Sequence, residues 1–224
     1  MFGLSSLFTF LAPYDCLLCG HEGSLLCAWC WPGAFVAAPD GCFNCHASTP
    51  HKSVCKNCRQ ATQMDYVWIG ARYDGVVKRL LHQYKFERAK DAAGVLARLL
   101  AETAPRQPAG TIVTYIPTAT QRIRERGFDH ARQLAEVFAR QQGLRLRPLL
   151  WRHGQQRQVG ASRYIRRRQA EKTYGIVSGL DLAGANILLI DDIVTTGATL
   201  QAATKVLRAA GAKSVNALVV AQKQ

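Results

Sequence analysis

Residues 186–200 read Asn-Ile-Leu-Leu-Ile-Asp-Asp-Ile-Val-Thr-Thr-Gly-Ala-Thr-Leu, and this stretch leaves the chain few folds to choose from. Four consecutive aliphatic residues, Ile187 to Ile190, show no alternation. That pattern predicts a strand covered on both faces, as in a parallel sheet. Asp191 and Asp192 are expected at its C-terminal end, followed by a small-residue turn from Val194 to Thr199. An amphipathic helix comes next, with Leu200, Ala203, Val206, Leu207 and Ala210 on one stripe and Gly211 placed to cap it.

The order of these parts has a chemical meaning. Open α/β sheets bind ligands at the C-terminal edge of their strands. A helix start offers unpaired N–H groups and a positive dipole end, which suits a phosphate. Thr195, Thr196 and Thr199 add hydroxyls, and Gly197 would let the backbone approach an anion. Two adjacent carboxylates can accept hydrogen bonds from a diol or help to hold a hard cation. Phosphate, vicinal hydroxyls and Mg2+ together describe a ribose 5-phosphate. The competing reading is a buried strand with a polar turn, but two carboxylates at a strand end are costly without partners.

The stretch resembles the phosphoribosyl-pyrophosphate (PRPP) motif of type I phosphoribosyltransferases. The resemblance implies that Asp191 and Asp192 contact the ribose hydroxyls, with catalytic roles if turnover occurs. It implies that Val194, Thr195, Thr196, Gly197, Ala198 and Thr199 hold the 5-phosphate, and that Mg2+ accompanies PRPP.

All eight cysteines lie near the start, in four Cys-x-x-Cys pairs: Cys16/Cys19, Cys27/Cys30, Cys42/Cys45 and Cys55/Cys58. A two-residue gap lets two thiolates grip one tetrahedral ion, so four pairs imply two structural Zn2+ sites. Chain order suggests one site from the first two pairs and one from the last two; a cross-braced arrangement is the alternative. Disulfides are the competing reading, disfavoured in a chain read as cytosolic. His21, His46 and His51 are expected to be bystanders, because eight thiolates fill two sites. A module this small, with little aliphatic core, needs metal to fold.

Charge separates this front end from the remainder. The chain of 224 residues carries a net charge of +14. Residues 1–60 contain Lys52, Lys56 and Arg59 against Asp15, Glu22 and Asp40, which cancel. The excess sits in residues 61–224 and points to anionic partners. Met1 to Pro13 is apolar without a preceding basic residue, and it is read as a docking helix rather than a signal peptide. No stretch has the ~20 apolar residues that a membrane span needs. The expected division is a segment with a double zinc ribbon at 1–60 and an α/β domain at 61–224.

Within the second part, Tyr66–Tyr73 and Thr111–Ile116 read as strands and Val215–Ala221 as the last one. Helices are expected from Val76 to Tyr84, over residues 88–103 and over residues 128–142. Alternation of strands and helices argues an open parallel sheet.

Three further segments extend the resemblance. Tyr73-Asp74-Gly75 with Leu80–Phe86, Arg122–Phe128, and the looser positions Gln158, Arg168 and Tyr174 are similar to the ComF competence-protein family. That family carries a double zinc ribbon ahead of a domain of type I phosphoribosyltransferase fold. The resemblance implies that Lys85 meets pyrophosphate and that Arg122 and Arg126 lie in a mobile loop that closes over it. A solvated helix-end lysine and ordinary surface arginines are the alternatives. The chain departs from the family at Asp129-His130, where Asn-Gln is usual, and at Glu171, where Asn is frequent.

Residues 145–172 hold nine basic side chains and one acid, Glu171, with Trp151 and Tyr164 among them. Cations interleaved with aromatics suit a single strand of nucleic acid, whose bases stack while its phosphates are neutralised. Arg157, Arg163, Arg166, Arg167 and Arg168 are the candidate contacts; an exposed, solvated basic helix is the competing reading.

The function expected is PRPP binding together with single-stranded DNA binding, in DNA uptake, natural transformation or DNA utilisation. DNA-uptake helicase or channel proteins are the partners the resemblance implies. The alternative is an active phosphoribosyltransferase that passes ribose 5-phosphate from PRPP to a nucleobase-like acceptor in nucleotide salvage.

Overall fold

The computed structural model describes residues 14–87, 91–153 and 173–223. Met1 to Pro13 and the arginines from Arg157 to Arg168 lie outside the described residues, as do Gln158, Tyr164, Glu171 and Lys172.

The described chain begins with two cysteine-bearing segments and helix α1 (Lys56–Thr62). Strand β1 (Val67–Arg72) follows, then helices α2 (Gly75–Phe86) and α3 (Ala92–Thr103) and strand β2 (Ile112–Tyr115). Helices α4 (Thr120–Arg126) and α5 (His130–Gln142) lead to the short strands β3 (Arg145–Leu146), β4 (Leu150–Arg152) and β5 (Tyr174–Ile176). Strand β6 (Asn186–Val194), helix α6 (Ala198–Ala209) and strand β7 (Ser214–Gln222) complete it. Five strands form a parallel sheet in the order β1-β7-β6-β2-β3, and β4 pairs antiparallel with β5 beside it.

β6 and β7 are the innermost strands, and their near-continuous aliphatic runs suit a sheet covered on both faces. Side chains alternate between those faces. Leu188, Ile190, Leu218 and Val220 enter one core with α2, α3 and α5; Ile187, Leu189, Val215, Ala217 and Val219 enter the other with α6. Gly70 in β1 permits close layering, since a Cβ there would lie 2.9 Å from Leu99 Cγ. The cysteine segments divide between the layers: Cys16, Leu25 and Leu26 join the first core, whereas Cys42, Phe43, Val54 and Cys58 join the second.

Several boundaries differ from the sequence reading. β6 continues through both aspartates to Val194, because β7 keeps pairing with it as far as Gln222 opposite Val194. The acids therefore lie within a strand, and the turn begins at Thr195. The helix expected over 128–142 begins at His130, with Asp129 as its cap. The segment Thr120–Arg126, implied to be a loop, is a helix ended by Gly127 at φ 80. The start of the basic tract is not helical: Arg145 lies in β3 and Arg152 in β4, where Pro148 interrupts any helix.

Candidate functional site

The C-terminal ends of β6 and β7 and the start of α6 form the floor of the site. Thr195, Thr196, Ala198 and Thr199 are exposed, while Gly197 is buried at φ 71. A groove of about 520 Å3 beside the turn is lined by Thr195, Thr196, Gln222, Lys223 and His46. The exposed turn sets the start of α6 beside this groove.

Gly197 has a second reason to be glycine. A Cβ built on it would lie 2.5 Å from Phe43 Cε2, so the missing side chain is what lets that ring pack against the turn. Phe43 itself is buried, and the Gln222 amide donates to its carbonyl at 3.1 Å. No local signal in the sequence pointed to Phe43.

Asp191 and Asp192 are both buried, and the period of two turns them to opposite faces of β6. Asp192 faces α2 and α5. Its Oδ2 is ion-paired with the Lys85 ammonium and accepts from His130 Nε2 at 2.9 Å. His130 Nδ1 in turn accepts from the Arg126 guanidinium at 2.9 Å, which places the ring proton on Nε2. Burial pulls the Asp192 carboxyl upward, but Lys85 and His130 outweigh it and hold the group well below the usual carboxylate range. Among the described residues Asp191 has no ion pair; burial, and then the charge on Asp192, push it up to about 8, against the weaker pull of Lys85 and Arg152. Burial also lowers Arg126, against the pull of Asp192.

Of the residues singled out in the sequence, Arg126 and Asp192 both meet His130, and Lys85 meets Asp192. Lys85 is not the solvated helix-end lysine of the alternative reading, since its side chain is 13% exposed. Arg122 stays exposed on α4. His130 was missed as a site residue, although the departure from the family pattern at Asp129-His130 was the available signal. Asp129 caps α5 through the Ala131 and Arg132 amides and accepts from Thr118 Oγ1, which fixes where His130 stands.

The eight cysteines form two groups, Cys16/Cys19/Cys27/Cys30 and Cys42/Cys45/Cys55/Cys58, with the sulfurs of each group within 4.8 Å of one another. This is the chain-order pairing, and all eight are free thiols. The Cys27 amide points at Cys16 Sγ, and Asn44 donates to Cys58 Sγ at 3.3 Å, as thiolates on a metal require. A hydrogen bond with Cys19 above all pushes the Cys30 thiol up to about 12. The residues fit tetrahedral Zn2+. Among the described residues no helix is long and apolar enough to cross a membrane.

Comparison with known proteins places this geometry in context. Residues 151–224 match the phosphoribosyl transferase domain family. The chain is 30% identical to the competence protein ComFC of Streptococcus pneumoniae over 211 residues, covering 92% of each. It is 27% identical to the DNA utilization protein YhgH of Salmonella typhi, covering 64% of this chain and 66% of that protein. Among solved structures it is similar to the glutamine PRPP amidotransferase of B. subtilis, at 19% identity and a TM-score of 0.45, covering 62% of this chain and 30% of that one.

Proposed function

The chain belongs to the ComF family of competence proteins, and on that premise we propose that it binds PRPP with Mg2+ and single-stranded DNA in the uptake or utilisation of DNA. The observation that carries the PRPP reading is the exposed Thr195–Thr196 bend, opening onto α6 at the end of a strand that holds two buried acids. Its threonine hydroxyls and the first free amides of α6 would receive the 5-phosphate. Asp191 and Asp192, each from its own face of β6, would serve the ribose hydroxyls and the ion. Mg2+, when bound, would neutralise the pyrophosphate charge. Lys85 and Arg126 stand where a second anionic group would need cations, and both already meet the Asp192–His130 pair.

The DNA half of the proposal rests on the basic tract and on what the relatives are called. Arg157, Arg163, Arg166, Arg167 and Arg168 supply the charge, and Trp151, 43% exposed beside the tract, offers a stacking face. One observation favours turnover as a second reading. A groove of about 490 Å3, lined by Tyr115, Phe128, Asp129 and Gln133 among others, runs along the start of α5 and has the rings and polar groups that a nucleobase needs.

The test is calorimetric titration of the zinc-loaded chain with PRPP and Mg2+, repeated with single-stranded DNA present. Saturable heat that Asp192→Ala abolishes is expected. Absence of heat in the unsubstituted protein would remove the PRPP reading. Release of pyrophosphate with a nucleobase added would favour the second reading.

A further inference from the structure

One wall of the sugar-phosphate groove is built by the second cysteine group, a part of the chain far from the motif. Phe43 follows Cys42 directly, is 5% exposed and seats its ring against Gly197. The same segment carries His46, which shares the groove with Thr195, Thr196 and Lys223. His46 holds φ at 60, in the left-handed region; in the first module the same position, one residue after the second cysteine, is Gly20 at φ 73. Glycine is the residue that this backbone favours. The second module has a histidine there instead, and that histidine borders the groove. The first module packs elsewhere: Cys16, Leu25 and Leu26 lie in the other core, and Trp31 donates to Glu102 on α3 at 2.9 Å.

We infer that the second four-cysteine module is a functional wall of the PRPP site: Phe43 is a positioning residue for the Thr195–Gly197 turn, and His46 with Lys223 faces the ligand's anionic oxygens. The inference rests on the PRPP reading above and adds to it a dependence on one metal site and not the other. The turn keeps its shape only while the Phe43 ring is in place, and the ring is placed by a loop too small to hold itself without its ion. Metal at Cys42, Cys45, Cys55 and Cys58 and PRPP at the turn are therefore thermodynamically linked. Linkage is reciprocal, so PRPP must tighten that metal site by the factor with which the metal tightens PRPP.

The experiment is an equilibrium competition between the full chain and a zinc-selective chelator that leaves Mg2+ alone, with and without PRPP and Mg2+. Two zinc equivalents are expected, with one held about fivefold or more tighter in the presence of PRPP and the other unchanged. Phe43→Ala should still bind both equivalents and lose the effect. Should that variant not fold, His46→Gly decides, because it installs the residue that the first module uses. It should keep both metals and weaken PRPP several-fold. PRPP binding by calorimetry with neither site, or both sites equally, affected would overturn the inference and leave the PRPP reading standing. A zinc-loaded chain that binds no PRPP would end both. Unchanged PRPP affinity in His46→Gly would overturn the role of His46.

Discussion

Asp191 and Asp192 are consecutive in the chain, yet they face opposite layers of the sheet, and Asp192 is the one held by Lys85 and His130. The pair is thereby unequal before any ligand arrives. Asp192 is anionic and fixed on the α2/α5 side. Asp191 accepts the backbone amide of Asp192 at 2.9 Å and is held far up its titration range by burial. Two like charges this close cannot both be cheap in a buried site, and among the described residues the fold separates them by giving Asp192 the direct contacts with Lys85 and His130.

Lys85→Met should be strongly destabilising, by about 3–5 kcal/mol, because it leaves the Asp192 carboxylate buried with too little opposing charge. Lys85→Met combined with Asp192→Asn should recover most of that loss. Urea denaturation of the two variants checks the claim; equal losses in the single and double variants would contradict it.

Stability should also depend on pH through Asp191. An unfolded aspartate gives up its proton near pH 4, whereas the folded group keeps it until about 8. The contribution is therefore complete below about pH 4 and is lost as pH rises towards 8. Asp191→Asn, neutral throughout, should gain stability over the unsubstituted chain across that window, by on the order of 1 kcal/mol per pH unit. Asp192 has the opposite sign: its depressed value gives stability that is present above about pH 4 and lost in acid. Melting curves of Asp191→Asn against the unsubstituted chain test this, and a difference constant with pH would refute it.

Gly197→Ala should fail on two counts. The residue sits at φ 71, and the new methyl would meet the Phe43 ring at 2.5 Å. The backbone part alone is about 1–2 kcal/mol. Phe43→Ala carries its own cavity cost of about 3–5 kcal/mol, so the comparison, by chemical denaturation, is a double-mutant cycle: in the Phe43→Ala background Gly197→Ala should cost only the backbone part. No cost of Gly197→Ala in that background would show that the left-handed turn carries no strain.

Replacing Arg166, Arg167 and Arg168 together by alanine should weaken single-stranded DNA binding for all sequences alike. The slope of log affinity against log salt should fall by roughly 0.7 for each phosphate that is no longer neutralised. PRPP binding is the control and should be unaffected. Filter binding across a salt series is the measurement, and an unchanged slope would exclude the arginine triplet from the DNA path.

The strongest sequence signals were local ones. The aliphatic run, the two acids, the threonine turn and the striped helix fall within about two dozen consecutive residues, so each propensity reinforces the next. Chain-order pairing of the cysteine doublets was legible for the same reason, since short loops join the members of each group. β4 and β5 were not legible, because each is three residues long and they pair across a wide gap in the chain. Strands that short carry no period to read.

What the residues alone determined, then, was the chemistry available: two acids, a phosphate-sized bend, eight thiols in doublets and a surplus of positive charge. That Asp191 and Asp192 face apart followed only from the strand running on through both of them to Val194. Which neighbours each would meet was decided by topology. α2 brings Lys85 and α5 brings His130 to one face, and a cysteine loop lays Phe43 against Gly197 and His46 beside Thr195. These pairings join segments far apart in the chain, formed only when the layers close, and no local preference encodes them.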